Sequence, residues 1–92
     1  MSAEPFDGAG WRPVLKRSVQ VRYDRVRGTD LLLMPERAVV LTGHAGLILR
    51  LCDGSRTTEQ IVDEVGADFP EAPVATEIPA FLERIQSEGW LR

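Results

Sequence analysis

The sequence is poor in the residues that build metal and catalytic sites. Its 92 residues include one cysteine, Cys52, and one histidine, His44. A zinc site takes three or four ligands, mostly of these two types, and is therefore not expected. His44 and Cys52 lie at the two ends of one predicted helix, about 12 Å apart at ~1.5 Å per residue, too far to pair as nucleophile and base. No glycine-rich phosphate loop is present either, so the composition argues against an enzyme.

Other absences bear on the compartment and on the number of domains. A lone cysteine forms no internal disulfide. No apolar run approaches the ~20 residues that span a bilayer, and residues 1–10 lack the basic start and apolar run of a secretory signal. We therefore expect a cytoplasmic protein without a membrane segment. Residues 1–11 are polar and show no periodicity, which predicts a flexible arm before a single domain at residues 12–92.

Charge is distributed unevenly along the chain. Residues 12–37 carry seven bases and three acids, a net of +4, whereas residues 53–92 carry nine acids and three bases, a net of -6. Such asymmetry marks a binding surface or pairing between two layers, and ordinary solvated faces are the simplest alternative.

The first half of the chain predicts three short strands. Apolar and polar residues alternate from Ser18 to Asp24, the period of a half-buried strand. Apolar runs at Leu31–Met34 and Ala38–Thr42 follow, and Pro35–Arg37 predicts the turn between them. Strands in such close succession favour an antiparallel meander.

The second half predicts three helices. Apolar residues at steps of three, four and seven place them at about residues 43–52, from Thr57 to Pro70, and from Val74 or Thr76 to Ser87. Thr42 is the expected cap of the first helix, and Thr57 with Gln60 has the spacing of a capping box for the second. Pro79 fits the first turn of a third helix that is capped by Thr76; a start at Val74 predicts a bend. The expected fold class is α+β, a three-stranded antiparallel sheet followed by three helices, of winged-helix type.

Several sequence blocks carry a family resemblance. They are Leu31–Arg37, Val40–Thr42, Ala45, Ile48–Gly54, and the shorter pieces Arg12-Pro13, Asp24, Arg56-Thr57, Phe81-Leu82 and Gly89–Leu91. In this order and spacing they resemble the signature of PqqD, the protein D family of pyrroloquinoline quinone (PQQ) biosynthesis, over residues 12–91. Thr42 stands where the family often has Asn, and both residues can cap a helix.

The resemblance implies a peptide-binding adaptor without a cofactor. PqqD proteins bind the precursor peptide PqqA and present it to PqqE, a radical S-adenosylmethionine enzyme that joins a Glu and a Tyr side chain of the peptide. In related domains the peptide adds as a strand to the edge of the sheet and lies against the third helix. An edge strand has unpaired backbone groups that accept such a strand, and neighbouring side chains then supply selectivity.

This binding mode predicts a site on the third strand and the third helix. The candidate residues are Val39, Val40, Leu41, Phe81, Leu82 and Ile85. In so small a domain about half of them must be core, and we expect Val40, Leu41, Leu82 and Ile85 to lie nearest the groove. The alternative is that all six are ordinary core residues.

Two other function classes and a self-association remain open at this point. A winged helix can bind DNA, but duplex binding needs a basic surface, and the third helix carries Glu77, Glu83 and Glu88 against Arg84 alone. An enzyme is the other class, but the sequence lacks the nucleophile–base pair and the metal ligands that catalysis would need. The open strand edge also accepts a second copy of the chain, so we expect a working monomer and a homodimer in a crystal or at high concentration.

Overall fold

The computed structural model describes residues 10–92 and shows three strands followed by three helices. The elements are β1 (Gln20–Asp24), β2 (Thr29–Met34), β3 (Arg37–Val40), α1 (Ala45–Arg50), α2 (Thr58–Asp68) and α3 (Val74–Ser87). The predicted α+β class and element order are confirmed. The predicted arm falls mostly on residues 1–9, which lie outside the described residues.

The sheet is an antiparallel meander in the order β1-β2-β3. In its central row Leu32 of β2 lies between Val21 and Val39. Leu32 has no exposed surface, so this row faces the core. The sequence Arg27–Asp30 is typical of a turn, but Thr29 and Asp30 pair with β1. The turn lies just before them, where Gly28 takes a φ of 68°.

The helices cover one face of the sheet. Apolar side chains from every helix join those of the strands in one cluster, whose buried members are Val19, Leu32, Leu41, Ile48, Leu49, Cys52, Ile61, Val65, Ile78, Leu82, Ile85 and Leu91. Within residues 10–92 no helix has both the length and the apolar character needed to cross a bilayer.

Helix boundaries agree with the prediction at α2 and differ at α1. The Thr57 hydroxyl accepts from the Gln60 N–H at 3.2 Å, and the Gln60 side chain accepts from the Thr57 N–H at 2.9 Å, so the capping box is confirmed. The predicted cap of α1 is wrong. Gly43 takes a left-handed φ of 60°, so Thr42 turns out of helical register, and His44 occupies the N-cap without a side-chain cap bond.

The third helix begins at Val74, the earlier of its two predicted starts, with Pro73 at its N-cap. Pro79 therefore lies in the helix interior. Proline has no N–H, so the carbonyl of Ala75 has no donor one turn later.

The segment around residues 11–16 holds the C-terminus in place. Val14 and Arg92 exchange backbone hydrogen bonds of 3.3 and 2.8 Å, and the Lys16 N–H donates to the Trp90 carbonyl at 3.0 Å. The Trp11 indole also donates to the Arg92 carbonyl, at 2.9 Å. We call this arrangement of residues 11–16 and 90–92 the terminal clasp.

Candidate functional site

Within residues 10–92 the β3 strand pairs only with β2 and forms a free edge of the sheet. The hydrogen-bond pattern between β2 and β3 determines which backbone groups of β3 are available. The Leu41 N–H donates to the Asp30 carbonyl at 2.9 Å, directly across from it. Hydrogen-bonded and non-hydrogen-bonded pairs alternate along an antiparallel ladder, so Leu32 and Val39 also form a bonded pair. The backbone N–H and C=O groups of Ala38 and Val40 therefore point away from β2, toward the free edge.

Two cavities lie near the two ends of β3. One, of about 520 Å³, lies beyond the C-terminal end of β3, where Thr42 and His44 face Phe81 and Arg84 of α3. The other, of about 450 Å³, lies at the N-terminal end of β3, between Arg37 and Trp90. We call these two cavities, together with the edge of β3 that lies between them, the β3–α3 groove.

The groove carries charges of both signs. The Arg37 guanidinium lies 5.1 Å from the centre of the Trp90 ring, and that of Arg84 lies 6.0 Å from the centre of the Phe81 ring. Stacking on a ring keeps each cation in place while its N–H groups remain open to a ligand. The cavities are also lined by carboxylates of Glu36, Glu77 and Glu88. These carboxylates on and beside α3 oppose the approach of a nucleic-acid backbone.

The six predicted site residues divide into surface and core. Val40 is 47% exposed, and Val39 and Phe81 are partly buried against the core. Leu41, Leu82 and Ile85 are 8%, 0% and 7% exposed and belong to the core. Their placement differs from the expectation that they lie nearest the groove.

The three residues are buried because their side chains point to the core. Leu82 and Ile85 continue the apolar stripe of α3 that begins at Ile78, and Leu41 extends the core face of β3. These three residues pack in the core and so fix the positions of β3 and α3. Peptide contact by Val39, Val40 and Phe81 stays a prediction.

Sequence reasoning missed several residues at the groove, namely Ala38, Arg37, Thr42, Arg84 and Trp90. Ala38 could have been found from strand parity, because it shares a face with Val40. Arg84 could have been found from helix spacing, because residues three apart are neighbours and it follows Phe81 at that step. Trp90 follows α3 and reaches the groove through tertiary packing, which no local pattern in the sequence shows.

Cys52 and Asp53, which follow α1, have structural roles. Cys52 is 3% exposed, and its thiol donates to the Ile48 carbonyl at 3.3 Å. Burial, with a smaller contribution from the charge of Asp53, raises the pKa of this thiol to about 12. Asp53 accepts from the Ser55 hydroxyl and backbone N–H, and these bonds hold its pKa below the usual value. In the part of the chain that the structure describes, no three His, Cys, Asp or Glu residues form a metal-binding group.

Comparison with known proteins gives consistent matches. The family described as "Coenzyme PQQ synthesis protein D (PqqD)" matches residues 31–91. A PqqA binding protein of Pseudomonas entomophila (strain L48) is 37% identical over 92 residues, which cover 99% of this chain and 97% of that protein. A PqqA binding protein of Rhodopseudomonas palustris (strain BisB5) is 33% identical over 82 residues, which cover 87% of this chain and 80% of that protein.

A solved structure shares the fold. It is the solution NMR structure of the PqqD truncation of Methylobacterium extorquens PqqCD, described as a functional, stand-alone recognition element for ribosomally synthesized and post-translationally modified peptides. It aligns with a TM-score of 0.69 and 33% identity over 96% of this chain and 95% of that one. These matches are to recognition proteins rather than enzymes, and they give no support to the DNA-binding alternative. The family match, together with a relative that aligns over nearly the full length of both chains, shows that this chain belongs to the PqqD family.

Proposed function

We propose that this chain binds the precursor peptide PqqA as an extended strand on the free edge of β3, with α3 beside it. The observation that carries the proposal is the outward direction of the Ala38 and Val40 backbone groups next to the β3–α3 groove. A peptide strand satisfies these groups and places side chains against Phe81 and Val39. The names of the relatives, PqqA binding proteins, support PqqA as the peptide.

We further propose that the bound peptide is presented to the radical S-adenosylmethionine enzyme PqqE and that the working form is a cytoplasmic monomer. A strand on β3 leaves the rest of an extended peptide free on both sides of a short recognition segment, which suits delivery to a second protein. The single thiol, buried and without a cysteine partner, suits a reducing compartment.

The first experiment is a titration of isotope-labelled protein with synthetic PqqA, followed by amide hydrogen exchange. A recognition segment this short gives a small interface, so we expect affinity on the order of micromolar. Exchange of the Ala38 and Val40 amides should slow, because they gain acceptors from the peptide.

A control amide is available on the same strand. The Val39 amide already pairs with β2, so its protection should change far less on peptide addition. No binding at peptide concentrations ~100-fold above the micromolar range, or binding without protection of Ala38 and Val40, would contradict the proposal.

The presentation step has its own test. PqqE is added to labelled protein that is saturated with PqqA. Retention of the peptide signal in a larger complex is expected. Displacement of the protein from the peptide by PqqE would argue instead for a carrier that releases its cargo before the enzyme binds.

A further inference from the structure

The outer face of the sheet, on the side away from the helices, carries a small aliphatic surface. In register across the strands, Leu31 lies beside Val40, and Leu33 lies beside Ala38. Ala38 and Val40 are exposed, and Leu31 and Leu33 are partly buried. We call these four residues the outer aliphatic patch.

The patch reaches the β3 edge and ends before the β1 edge. The same two rows continue onto β1 as Gln20 and Arg22. Neighbouring strands are about 4.8 Å apart, so these polar residues lie about 10 Å from the side chains of β3. A strand that is added to β3 lies about 5 Å from Ala38 and Val40 and about 14 Å from the polar residues of β1. Its direct neighbours on this face are therefore aliphatic.

Strand geometry decides which peptide residues meet the patch. Directly paired residues on adjacent strands project to the same face, and successive residues project to opposite faces. Peptide residues that pair with Ala38 and Val40 are two positions apart and point to the outer face. The residue between them pairs with Val39 and points into the β3–α3 groove, whatever the direction of the peptide.

We infer that the outer aliphatic patch is the second half of the peptide site and that it selects for apolar side chains at two peptide positions, i and i+2. This inference rests on the proposed binding of a peptide strand to β3. Cross-strand pairs between aliphatic, β-branched or aromatic residues stabilise a sheet, whereas a charged residue beside Ala38 or Val40 finds no partner of opposite charge in the patch. The expected ligand is thus an extended peptide segment with apolar side chains at positions i and i+2. The β3–α3 groove contacts the side chain at position i+1 between them.

The test compares two substitutions that make the same change of charge on the same face. Ala38→Glu places a carboxylate in the patch, and Gln20→Glu places one in the same row at the β1 edge. Both positions are exposed, so both variants should fold, which circular dichroism and melting temperature verify. We expect Ala38→Glu to weaken PqqA binding by about tenfold or more, and Gln20→Glu by less than about twofold.

A gentler variant and a peptide substitution complete the design. Val40→Thr keeps the β-branched shape and replaces one methyl group by a hydroxyl, so about fivefold weaker binding is expected. A PqqA peptide with Lys at an outer position should bind wild-type protein poorly and regain affinity with Ala38→Glu.

The outcomes separate this inference from the function it rests on. Protection of the Ala38 and Val40 amides, combined with equal affinities of Ala38→Glu and Gln20→Glu, overturns the outer patch and leaves the edge-strand site intact. Peptide binding without protection of those amides overturns both. Loss of affinity in Ala38→Glu with rescue by the Lys peptide supports both.

Discussion

At the scale of single residues, Gly46 shows how closely α1 approaches the sheet. A Cβ atom built on Gly46 would overlap the carboxylate of Asp30. The same carboxylate is held by Arg50, with Nη2 2.9 Å from Oδ1, and the Asp30 carbonyl accepts from Leu41. Asp30 thus joins β2, α1 and the end of β3, and only glycine leaves room for it.

Gly46→Ala should therefore destabilise the domain by about 1–3 kcal/mol, the usual cost of overpacking a tight site. Chemical denaturation measures the change. Gly66→Ala in α2 is the matched control, because its new Cβ meets one methyl group of Val74 at 3.3 Å and gains helix propensity. Equal stability of Gly46→Ala and wild type would show that Asp30 can move aside.

Cys52 gives a pH prediction at the same scale. Its pKa is raised from 9.0 to about 12 by burial, so the folded state retains the proton that the unfolded state loses above pH 9. This stabilisation is complete below pH 9 and falls as pH rises toward about 12, by at most about 1.4 kcal/mol per pH unit. Unfolding free energies of wild type and Cys52→Ala between these pH values should converge as pH rises. A constant difference would mean that the thiol is not protected by the fold.

At the scale of the elements, adjacent residues of α3 have different expected roles: Leu82 contributes to stability and Phe81 to peptide binding. Leu82 has no exposed surface, whereas Phe81 is partly exposed and lines a groove cavity. Leu82→Ala should cost about 2–5 kcal/mol, a large part of the stability of so small a domain. Phe81→Ala should cost less stability and weaken PqqA binding more than any loss of fold explains.

Denaturation and peptide titration at a temperature where both variants are folded check this assignment. If Leu82→Ala retains the stability of wild type, the core position of Leu82 is wrong. If Phe81→Ala binds peptide as wild type does, the groove face of α3 takes no part in recognition.

The same elements show how far the sequence predicts the fold. Thr57 and Gln60 form their predicted capping box because both partners are local in sequence. The meander was predicted because period-two alternation and Pro35 are local signals. The end of β3 and the start of α1 were not, because Gly43 and the contact of Gly46 with Asp30 depend on where α1 meets the sheet.

The candidate site stays a prediction, and the structure shows only where its six residues lie. Val40 is exposed on the edge of β3, Val39 is partly buried on the same strand, and Phe81 lines the cavity beyond the end of β3. Leu41, Leu82 and Ile85 lie in the core. The sequence did not distinguish them from groove residues, because an apolar residue looks the same in the sequence whether the core or a ligand covers it. Strand parity shows which residues share a face, and the structure shows that the face of Leu41 is the covered one.

At the scale of the whole molecule, the free edge of β3 is open to a second copy of the chain as well as to a peptide. We predict that self-association and PqqA binding compete. Added PqqA should then shift the equilibrium toward monomer, because a ligand that binds one state draws the population to it. Sedimentation at several protein concentrations, with and without PqqA, measures this. A dimer that binds PqqA as well as the monomer does would show that the two interfaces differ.

The terminal clasp has a consequence for how this domain can be connected to other proteins. Val14 and Arg92 are hydrogen-bonded neighbours, so the first and last segments of the described fold lie side by side. Domains with adjacent ends tolerate insertion into a host loop and circular permutation. A short linker between the two ends, with a new opening at the exposed β1–β2 turn near Val26, which is 96% exposed, would preserve every strand and helix. We therefore expect a circularly permuted domain to keep its core, so that the site of fusion to another protein can be moved to the β1–β2 turn.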